Sequence, residues 1–383
     1  MPLFDPRVMA AAMRVLARGD LGRYTTRFPS EVEALEKELC SYVGVRHALG
    51  VNSGTSALIC ALVGAGVGPG DEVLVPAYTW VSSAAAPLAA GAVPVLVEVD
   101  ETLTIDPRDI ERKITPKTKA IVCVHMLNLA CNMDAIMAIA EKHGLIVVED
   151  ACQAVGVTYR GRRVGSIGHV GAFSFNAHKN IQSGEGGAVL TSDPKIYARA
   201  LMYHDVGSYI RQGRVQTDEP LFVGVNYRMP ELSAAILRPQ LRRLDAQLES
   251  RRRRRQYVVS KLSQPGARFS VSPHNDAESA VGLSVIFEDV EKAKAFSGAK
   301  GVVRLIETGR HVYTNWESVL GRRSAHPKLD PYAWVGRADP ITAETCPKTL
   351  DILARTCSVQ LLPEIPMPAY RLVVRRMVDA IRA

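Results

Sequence analysis

The chain has 383 residues, with 47 basic against 39 acidic side chains for a formal charge of +8, and seven cysteines. This length can bury a large core and suits one large domain with a smaller one. No run of about 18 apolar residues occurs, which excludes a spanning helix, and Cys40, Cys60, Cys123, Cys131, Cys152, Cys346 and Cys357 lack C-x-x-C spacing, which argues against zinc or disulfide frameworks and for reduced core thiols. A cytoplasmic protein without a metal is the expectation.

Residues 1–47 are predicted to form two helical pieces joined at Gly19–Pro29, with Val32, Leu35, Leu39 and Tyr42 as an apolar stripe that packs on the main domain or a partner subunit. Arg7, Arg14 and Arg18 among alanines would also suit a transit peptide, but no cleavage pattern follows, and an amphipathic helix is the preferred reading. From residue 48 to about 240, short apolar runs alternate with helical stretches. The strand candidates are Ala48–Val51, Val73–Pro76, Val93–Val97, Ala120–Val124, Leu145–Glu149, Gly171–Phe175 and Ala188–Thr191. Such alternation predicts an α/β fold, a mostly parallel sheet with helices on both faces, whose functional residues collect at the carboxyl ends of strands.

Between 205 and 225, Gly207, Tyr209, Arg211, Gly213, Gln216 and Asp218 mark a polar loop, and long loops inside compact domains are often functional. A helix is then predicted over 231–262, with Leu237, Leu241, Leu244 and Leu248 at helical spacing. Arg251–Arg255 is read as its solvated side rather than as a nucleic-acid patch. Pro265–Pro273 reads as a hinge, after which Val281–Phe287 and Gly301–Ile306 are strand candidates and Val290–Phe296 and Leu372–Ile381 helix candidates. The expected organisation is an N-terminal helical segment (1–47), a large α/β domain (48–262) and a small C-terminal α+β domain (263–383).

The chemistry concentrates in residues 171–187, GAFSFNAHKNIQSGEGG, where Lys179 sits on a loop between a strand-like run and a glycine-rich turn. A lysine must lose its proton to form a Schiff base with an aldehyde. Alone it is weak evidence, since most lysines are solvated surface charges. Pyridoxal 5′-phosphate needs a lysine anchor, a carboxylate for its ring nitrogen, an apolar or aromatic plate and phosphate donors. Asp150, at the end of the buried run Leu145–Asp150, suits the ring nitrogen, while neighbouring Glu149 points to the opposite face of a strand and reads as a helix or loop contact. Asn52–Ala57 follows a strand and opens an apolar helix, and helix N-termini bind phosphate.

NSGTSAL at 52–58, PAYTWVSSA at 76–84, VVEDACQAVG at 147–156, SFNAHKNIQSGEGG at 174–187 and NYRMPE at 226–231 together resemble the DegT/StrS family of pyridoxal phosphate-dependent sugar or cyclitol aminotransferases. The resemblance implies a fold-type I aminotransferase: a mostly parallel seven-stranded sheet flanked by helices plus a smaller α+β C-terminal domain. It implies Lys179 as Schiff-base lysine and proton carrier, Asp150 as partner of the ring nitrogen, Gln153 against the phenolic oxygen or ring face, and Trp80 stacked on the ring. Gly54, Thr55, Ser174 and an Asn226 from the other subunit would hold the phosphate, which makes a homodimer with shared sites the smallest working unit. The 205–225 loop would be the family's mobile cover. His178 stands beside the lysine, whereas family dehydratases carry histidine in its place; with His204, Tyr313 and Trp316 it is a candidate for touching substrate.

The expected activity moves an amino group from L-glutamate or L-glutamine to a keto sugar, nucleotide-linked or not, or to a keto cyclitol, with no nucleic acid or membrane as partner. A non-transaminating enzyme of the same fold (a dehydratase or decarboxylase) is the alternative, and a non-catalytic sensor is disfavoured by the intact Lys179, Asp150 and Gln153. Two departures bear on substrate. His125–Met133 replaces the family's usual glycine and proline, so the loop there is expected to differ in shape. His311–Trp316 and Ala325–Pro327 form clusters that suit either a sugar pocket or a domain interface.

Overall fold

The computed structural model describes residues 5–24, 27–208, 217–262, 269–323, 325–326, 328–337, 339–362 and 365–382. Helices α1 (Pro6–Arg18) and α2 (Glu31–Val43) lead into β1 (His47–Val51) and α3 (Gly54–Gly64). There follow β2 (Glu72–Pro76), α4 (Ser82–Ala89), β3 (Val93–Val97), α5 (Pro107–Lys113), β4 (Thr118–Val124), α6 (Met133–His143) and β5 (Ile146–Asp150). A small ribbon, β6 (Thr158–Tyr159) and β7 (Arg162–Arg163), precedes β8 (Val170–Ser174), β9 (Gly187–Thr191) and α7 (Pro194–His204). Next come α8 (Glu231–Leu241), α9 (Leu244–Leu262), β10 (Phe269–Val271), β11 (Ser284–Phe287), α10 (Val290–Ser297) and β12 (Val302–Arg304). Short α11 (Glu317–Leu320) and α12 (Pro331–Val335), then α13 (Pro347–Ala354), β13 (Thr356–Val359) and α14 (Met367–Arg382), complete the chain.

Seven strands form the main sheet in the order β1-β9-β8-β5-β4-β2-β3. The run β8-β5-β4-β2-β3 is parallel, and β9 pairs antiparallel with both β8 and β1. The strands are apolar because both faces are covered. Alternation sorts their side chains: Val73, Val75, Ala120, Val122, Val124 and Val148 pack with α3, whereas Leu74, Ile121, Cys123 and Val147 enter the core on the other face with α2 and α8. Helix α3 is itself apolar nearly all round and almost wholly buried, as a helix enclosed by other elements must be. Its N-cap is Ser53, whose side chain accepts from Ser56 N at 3.0 Å.

A second, antiparallel sheet runs β10-β11-β13-β12 and shares a core with α9, α10 and α14. Its strands β10 and β13 carry too short or too polar a pattern to stand out in the sequence, and Gly301–Ile306 proves to be the short β12 followed by a 3₁₀ turn at Leu305–Glu307. Part of the expected hinge (265–268) and of the expected mobile loop (209–216, with Tyr209, Arg211, Gly213 and Gln216) lies outside the described residues, as does Pro327.

Two expectations need correction. The helix predicted over 231–262 is two helices, α8 carrying Pro239 and ending at Leu241, where Arg243 N turns back to Gln240 O at 3.0 Å. The arginine block is not simply a solvated face. Arg251, Arg254 and Arg255 point inward at i, i+3, i+4 spacing: Arg251 donates to Asn180 Oδ1 (2.7 Å), Arg254, only 5% exposed, to Ile365 O (2.7 Å), and Arg255 to Gly282 O (3.1 Å). Arg252 and Arg253 lie toward Glu249 on the outer side. All seven cysteines are free thiols, and only Cys40 is not fully buried. Among the described residues no helix is long and apolar enough to cross a membrane.

Candidate active site

A cleft of about 850 Å³ opens at the carboxyl ends of β2, β4, β5 and β8, walled on its far side by Val281–Leu283, which lead into β11, and by Ser358–Leu362, at and beyond the end of β13. Gly54, Thr55, Trp80, Asp150, Gln153, Ser174, His178 and Lys179 all line it. The structure thus brings together residues spread over more than a hundred positions of sequence.

Strand alternation aims Asp150 into the cleft, since it shares a face with Val148, and sends Glu149 to the opposite side with Val147. Ser83 Oγ donates to Asp150 Oδ2 at 2.7 Å, Thr79 Oγ1 lies 2.7 Å from Ser83 Oγ, and Cys152 N donates to Asp150 Oδ1 at 3.2 Å. The carboxylate is held at both oxygens. Glu149 takes the loop contact expected of it: it accepts from the amides of Gly165, Ile167 and Gly168 at 2.6–2.7 Å and meets His125 Nε2 at 3.0 Å. His125 Nδ1 accepts the Cys131 amide at 3.1 Å, so Nε2 carries the ring proton and donates to Glu149.

Lys179 stands in the loop between antiparallel neighbours β8 and β9. Phe175 N to Gly186 O (2.8 Å), Ser183 N to Phe175 O (2.9 Å) and Lys179 N to Asn176 O (3.0 Å) close that loop on itself. Its ammonium acts on two neighbours in the cleft. The Cys152 thiol is pushed well up by burial and by Asp150, with Lys179 opposing. The His311 imidazole is lowered by burial, with the Lys179 charge adding to the effect.

Thr55 Oγ1 lies 2.8 Å from Ser82 Oγ, and Ser174 Oγ faces the start of α3. The first amides of a helix have no carbonyl of their own to bond, which leaves Gly54 and Thr55 able to meet an anion. A Cβ on Gly54 would come within 2.6 Å of Ser174 Cβ and 3.1 Å of Cys152 Sγ, and one on Gly187 within 2.3 Å of Ser53 O. Two positions without side chains therefore let the helix end sit directly on the strands, as a cradle. Gln153 Oε1 accepts from Leu127 N at 3.3 Å. Trp80 is 42% exposed, its ring 5.2 Å from that of His311, a flat apolar surface at the cleft wall. An amine, a buried carboxylate, an open aromatic face and a helix N-terminus around one cleft fit an aromatic aldehyde bearing a phosphate; the donors suit pyridoxal 5′-phosphate.

The structure does not bring His204, Tyr313 or Trp316 to the cleft. His204 is fully buried, its Nδ1 donating to Leu201 O (2.5 Å) and its Nε2 meeting Tyr24 OH (3.0 Å). Tyr313 OH donates to Ala343 O (2.6 Å) and Trp316 Nε1 to Arg310 O (2.8 Å), both in the core. Those bonds answer the domain-packing alternative for the 311–316 cluster. The member of that cluster in the cleft is His311, whose Nδ1 meets Thr308 O at 3.0 Å while its backbone carbonyl accepts from Thr79 N at 2.9 Å. Asn226 is exposed and outside the cleft of its own chain.

Sequence reasoning did not single out Ser83 or Asn180, and it named Arg251 and His311 only as members of the arginine block and of the 311–316 cluster. Ser83 was visible in the 76–84 motif, but its aim at Asp150 needs the tertiary fold. In the loop after β4, Leu127 and Asn128 both take positive φ (53° and 61°), a region that side chains other than glycine rarely adopt. Asn128 Oδ1 accepts from Asn180 Nδ2 at 2.7 Å, which ties this loop to the residue after the lysine.

The DegT/DnrJ/EryC1/StrS aminotransferase family model matches residues 10–315. The chain is 42% identical over 257 residues to GDP-perosamine synthase of Caulobacter vibrioides, covering 66% of each protein. It is 41% identical over 241 residues to L-glutamine:2-deoxy-scyllo-inosose aminotransferase of Streptoalloteichus tenebrarius, covering 61% of this chain and 56% of that one. These alignments thus span less than two thirds of the relatives' own length. Over the whole fold it is similar to the crystal structure of DesV from S. venezuelae, with a TM-score of 0.77, 34% identity, and coverage of 98% of this chain and 93% of that one.

Proposed function

The chain belongs to the DegT/DnrJ/EryC1/StrS aminotransferase family, and from that premise we propose that it is a pyridoxal 5′-phosphate-dependent aminotransferase moving an amino group from L-glutamate or L-glutamine to a keto sugar, nucleotide-linked or not, or a keto cyclitol. The observation that carries the reading is the meeting of Lys179, Asp150 and the N-terminus of α3 in one cleft. The named activities of the two relatives, on a nucleotide sugar and on a cyclitol, support the acceptor class.

The cofactor, when bound, supplies an electron sink for the carbon that gives up or receives the amine. Lys179 Nζ would anchor it and would carry the proton taken from, and returned to, the substrate carbon; one group in reach of both positions could do this without exchange with solvent. Asp150, clamped by Ser83 and the Cys152 amide, holds the proton on the ring nitrogen. Gly54, Thr55 and Ser174 would bind the phosphate, Trp80 would cover the ring, and Gln153 would meet its polar edge. Asn226 would complete the phosphate site of a second copy, in a homodimer with shared sites; its exposure and its place outside its own cleft support this. Lys179 in the anchoring position favours amine transfer over the dehydratase alternative.

The test is an absorbance spectrum of the purified holoprotein before and after L-glutamate and L-glutamine, with Lys179→Ala alongside. A visible band that bleaches with one donor and releases its keto acid supports the reading. The absence of the band in wild type, or its indifference to Lys179→Ala, sinks it.

A further inference from the structure

We propose that His311 determines which acceptors the site takes, its Nε2 lone pair accepting a hydrogen bond from a hydroxyl on a carbon beside the acceptor's ketone; the proposal rests on the aminotransferase reading above. The ring is fixed in direction and in tautomer. Thr79 N donates to His311 O at 2.9 Å, Val81 N to Arg310 O at 3.2 Å and Tyr313 N to Ala77 O at 3.1 Å, so the backbone around His311 is laced to the segment that carries Trp80. His311 Nδ1 meets Thr308 O at 3.0 Å. A carbonyl only accepts, so Nδ1 carries the proton and Nε2 keeps its lone pair. Among the described residues no donor meets that lone pair. Burial lowers the imidazole against its bond to Thr308 O, and the Lys179 charge adds to the lowering. An ordinary histidine titrates near about 6.5, so at pH 7 this ring is neutral and offers an acceptor.

Position and chemistry together select the partner. His311 lines the cleft, its ring lies 5.2 Å from that of Trp80, and it feels the charge of Lys179, which places it beside the point where the amine is exchanged. A lone pair needs a donor. The carboxylates of L-glutamate and L-glutamine only accept, and the amine of either is the group being transferred. A keto sugar or keto cyclitol instead carries hydroxyls on the carbons flanking its ketone, one bond from the reacting carbon. The other carboxylates and imidazole lining the cleft are less suited to read such a hydroxyl. Asp150 is held by Ser83 and the Cys152 amide, and Glu185 accepts from Asn176 Nδ2 at 3.0 Å. His178 is exposed, and among the described residues no bond fixes its ring. A ketone with only hydrogen on its flanking carbons leaves the half-buried His311 lone pair without a donor. Such an unpaired polar group discriminates between substrates more sharply than pocket shape does.

The test compares wild type with His311→Asn and His311→Gln as holoenzymes, with thermal melting as the folding control. Asparagine keeps a donor for Thr308 O and removes the distal acceptor, whereas glutamine carries an acceptor at about the distance of Nε2. Two ketones serve as probes, scyllo-inosose and dTDP-4-keto-6-deoxyglucose, each beside an analogue without hydroxyls on the carbons flanking the ketone. With the hydroxylated ketone that wild type converts, His311→Asn should lower kcat/KM about 10- to 100-fold, and His311→Gln should recover part of the loss. Wild type should disfavour the deoxy analogue by a similar factor, and His311→Asn should lose that preference. In wild type labelled with nitrogen-15 at histidine, the His311 Nε2 signal should shift on saturation with scyllo-inositol or dTDP-6-deoxyglucose, the unreactive alcohols of the probes. Equal losses on the hydroxylated and deoxy ketones, or no shift with either alcohol, overturn the proposal while leaving the aminotransferase reading intact. An equal loss in the half-reaction with L-glutamate or L-glutamine also overturns it and assigns His311 to the chemistry of Lys179. If wild type bleaches with a donor yet converts neither ketone, the acceptor class falls and the proposal falls with it; if it bleaches with neither donor, the aminotransferase reading itself fails.

Discussion

Ser83 Oγ donates a 2.7 Å hydrogen bond to Asp150 Oδ2, joining the first turn of α4 to the last residue of β5. The carboxylate that faces the cofactor ring nitrogen in our reading is thereby oriented by a hydroxyl that is itself fixed by Thr79. Removing one such bond typically costs about 1 kcal/mol. Ser83→Ala should therefore lower kcat roughly three- to tenfold with the visible band still present, whereas Asp150→Asn, which removes the charge, should lower it by about 100-fold or more. Steady-state kinetics of both variants, with the cofactor band measured alongside, check the ordering; equal losses would show that Ser83 does more than orient.

Gly54→Ala places a methyl where the structure leaves 2.6 Å to Ser174 Cβ. The helix end must lift, and cofactor affinity should fall at least about tenfold, more than melting temperature would suggest, since overpacking costs about 1–3 kcal/mol. Equilibrium titration of the apoprotein with pyridoxal phosphate reads this directly.

Arg23 and Glu36 form an ion pair at 2.7 Å with almost no exposure, and Glu36 also accepts from Gly50 N at 2.7 Å in β1. Burial pushes the Glu36 carboxyl up while Arg23 and the Gly50 amide pull it back. Arg23→Met should cost about 3–5 kcal/mol, because it leaves a buried carboxylate without its cation. The double variant Arg23→Met/Glu36→Gln should recover a large part, and denaturant unfolding of the two variants measures the difference.

Burial lowers the His204 pKa to about 4, outweighing its bond to Leu201 O, with the Arg23 charge adding. An unfolded histidine titrates near about 6.5. Between these values the unfolded chain holds a proton that the native chain lacks, so stability rises with pH through this window and is complete above it. His204 alone should remove roughly 3 kcal/mol by pH 4. His274, also lowered to about 4 by burial and by Arg255, acts in the same direction. Melting curves from pH 7.5 down to 5 should show falling stability, and His204→Gln should flatten the slope.

The parts of this molecule legible in the sequence are those written in local periodicity. The seven strands of the main sheet show as apolar runs because both of their faces are buried, and alternation alone separated Asp150 from Glu149. Lys179, Asp150, Gly54 and Trp80 were found through motifs that include their neighbours. What stayed hidden depends on where elements meet. Arg251 looked like one of five equivalent arginines, and only the packing of α9 against Asn180 and the second sheet separates it from Arg253. Tyr313 and Trp316 had the composition of a sugar pocket, yet their polar atoms are spent on Ala343 O and Arg310 O. His311, in the same run, turns into the cleft because its backbone pairs with the segment that carries Trp80.

The two bare positions beneath the phosphate cradle, Gly54 against Ser174 and Gly187 against Ser53 O, act as a spacer of zero thickness between helix and sheet. In our reading, the depth at which a phosphate would seat is thus defined by what is missing. Any residue added at either position would act as a shim: it would raise the anion and, through a rigid cofactor, carry the reacting carbon away from Lys179 without removing a single contact. The catalytic alignment is in this sense dimensioned from the floor of the sheet upward, and the tolerance of the whole assembly is smaller than one methyl group.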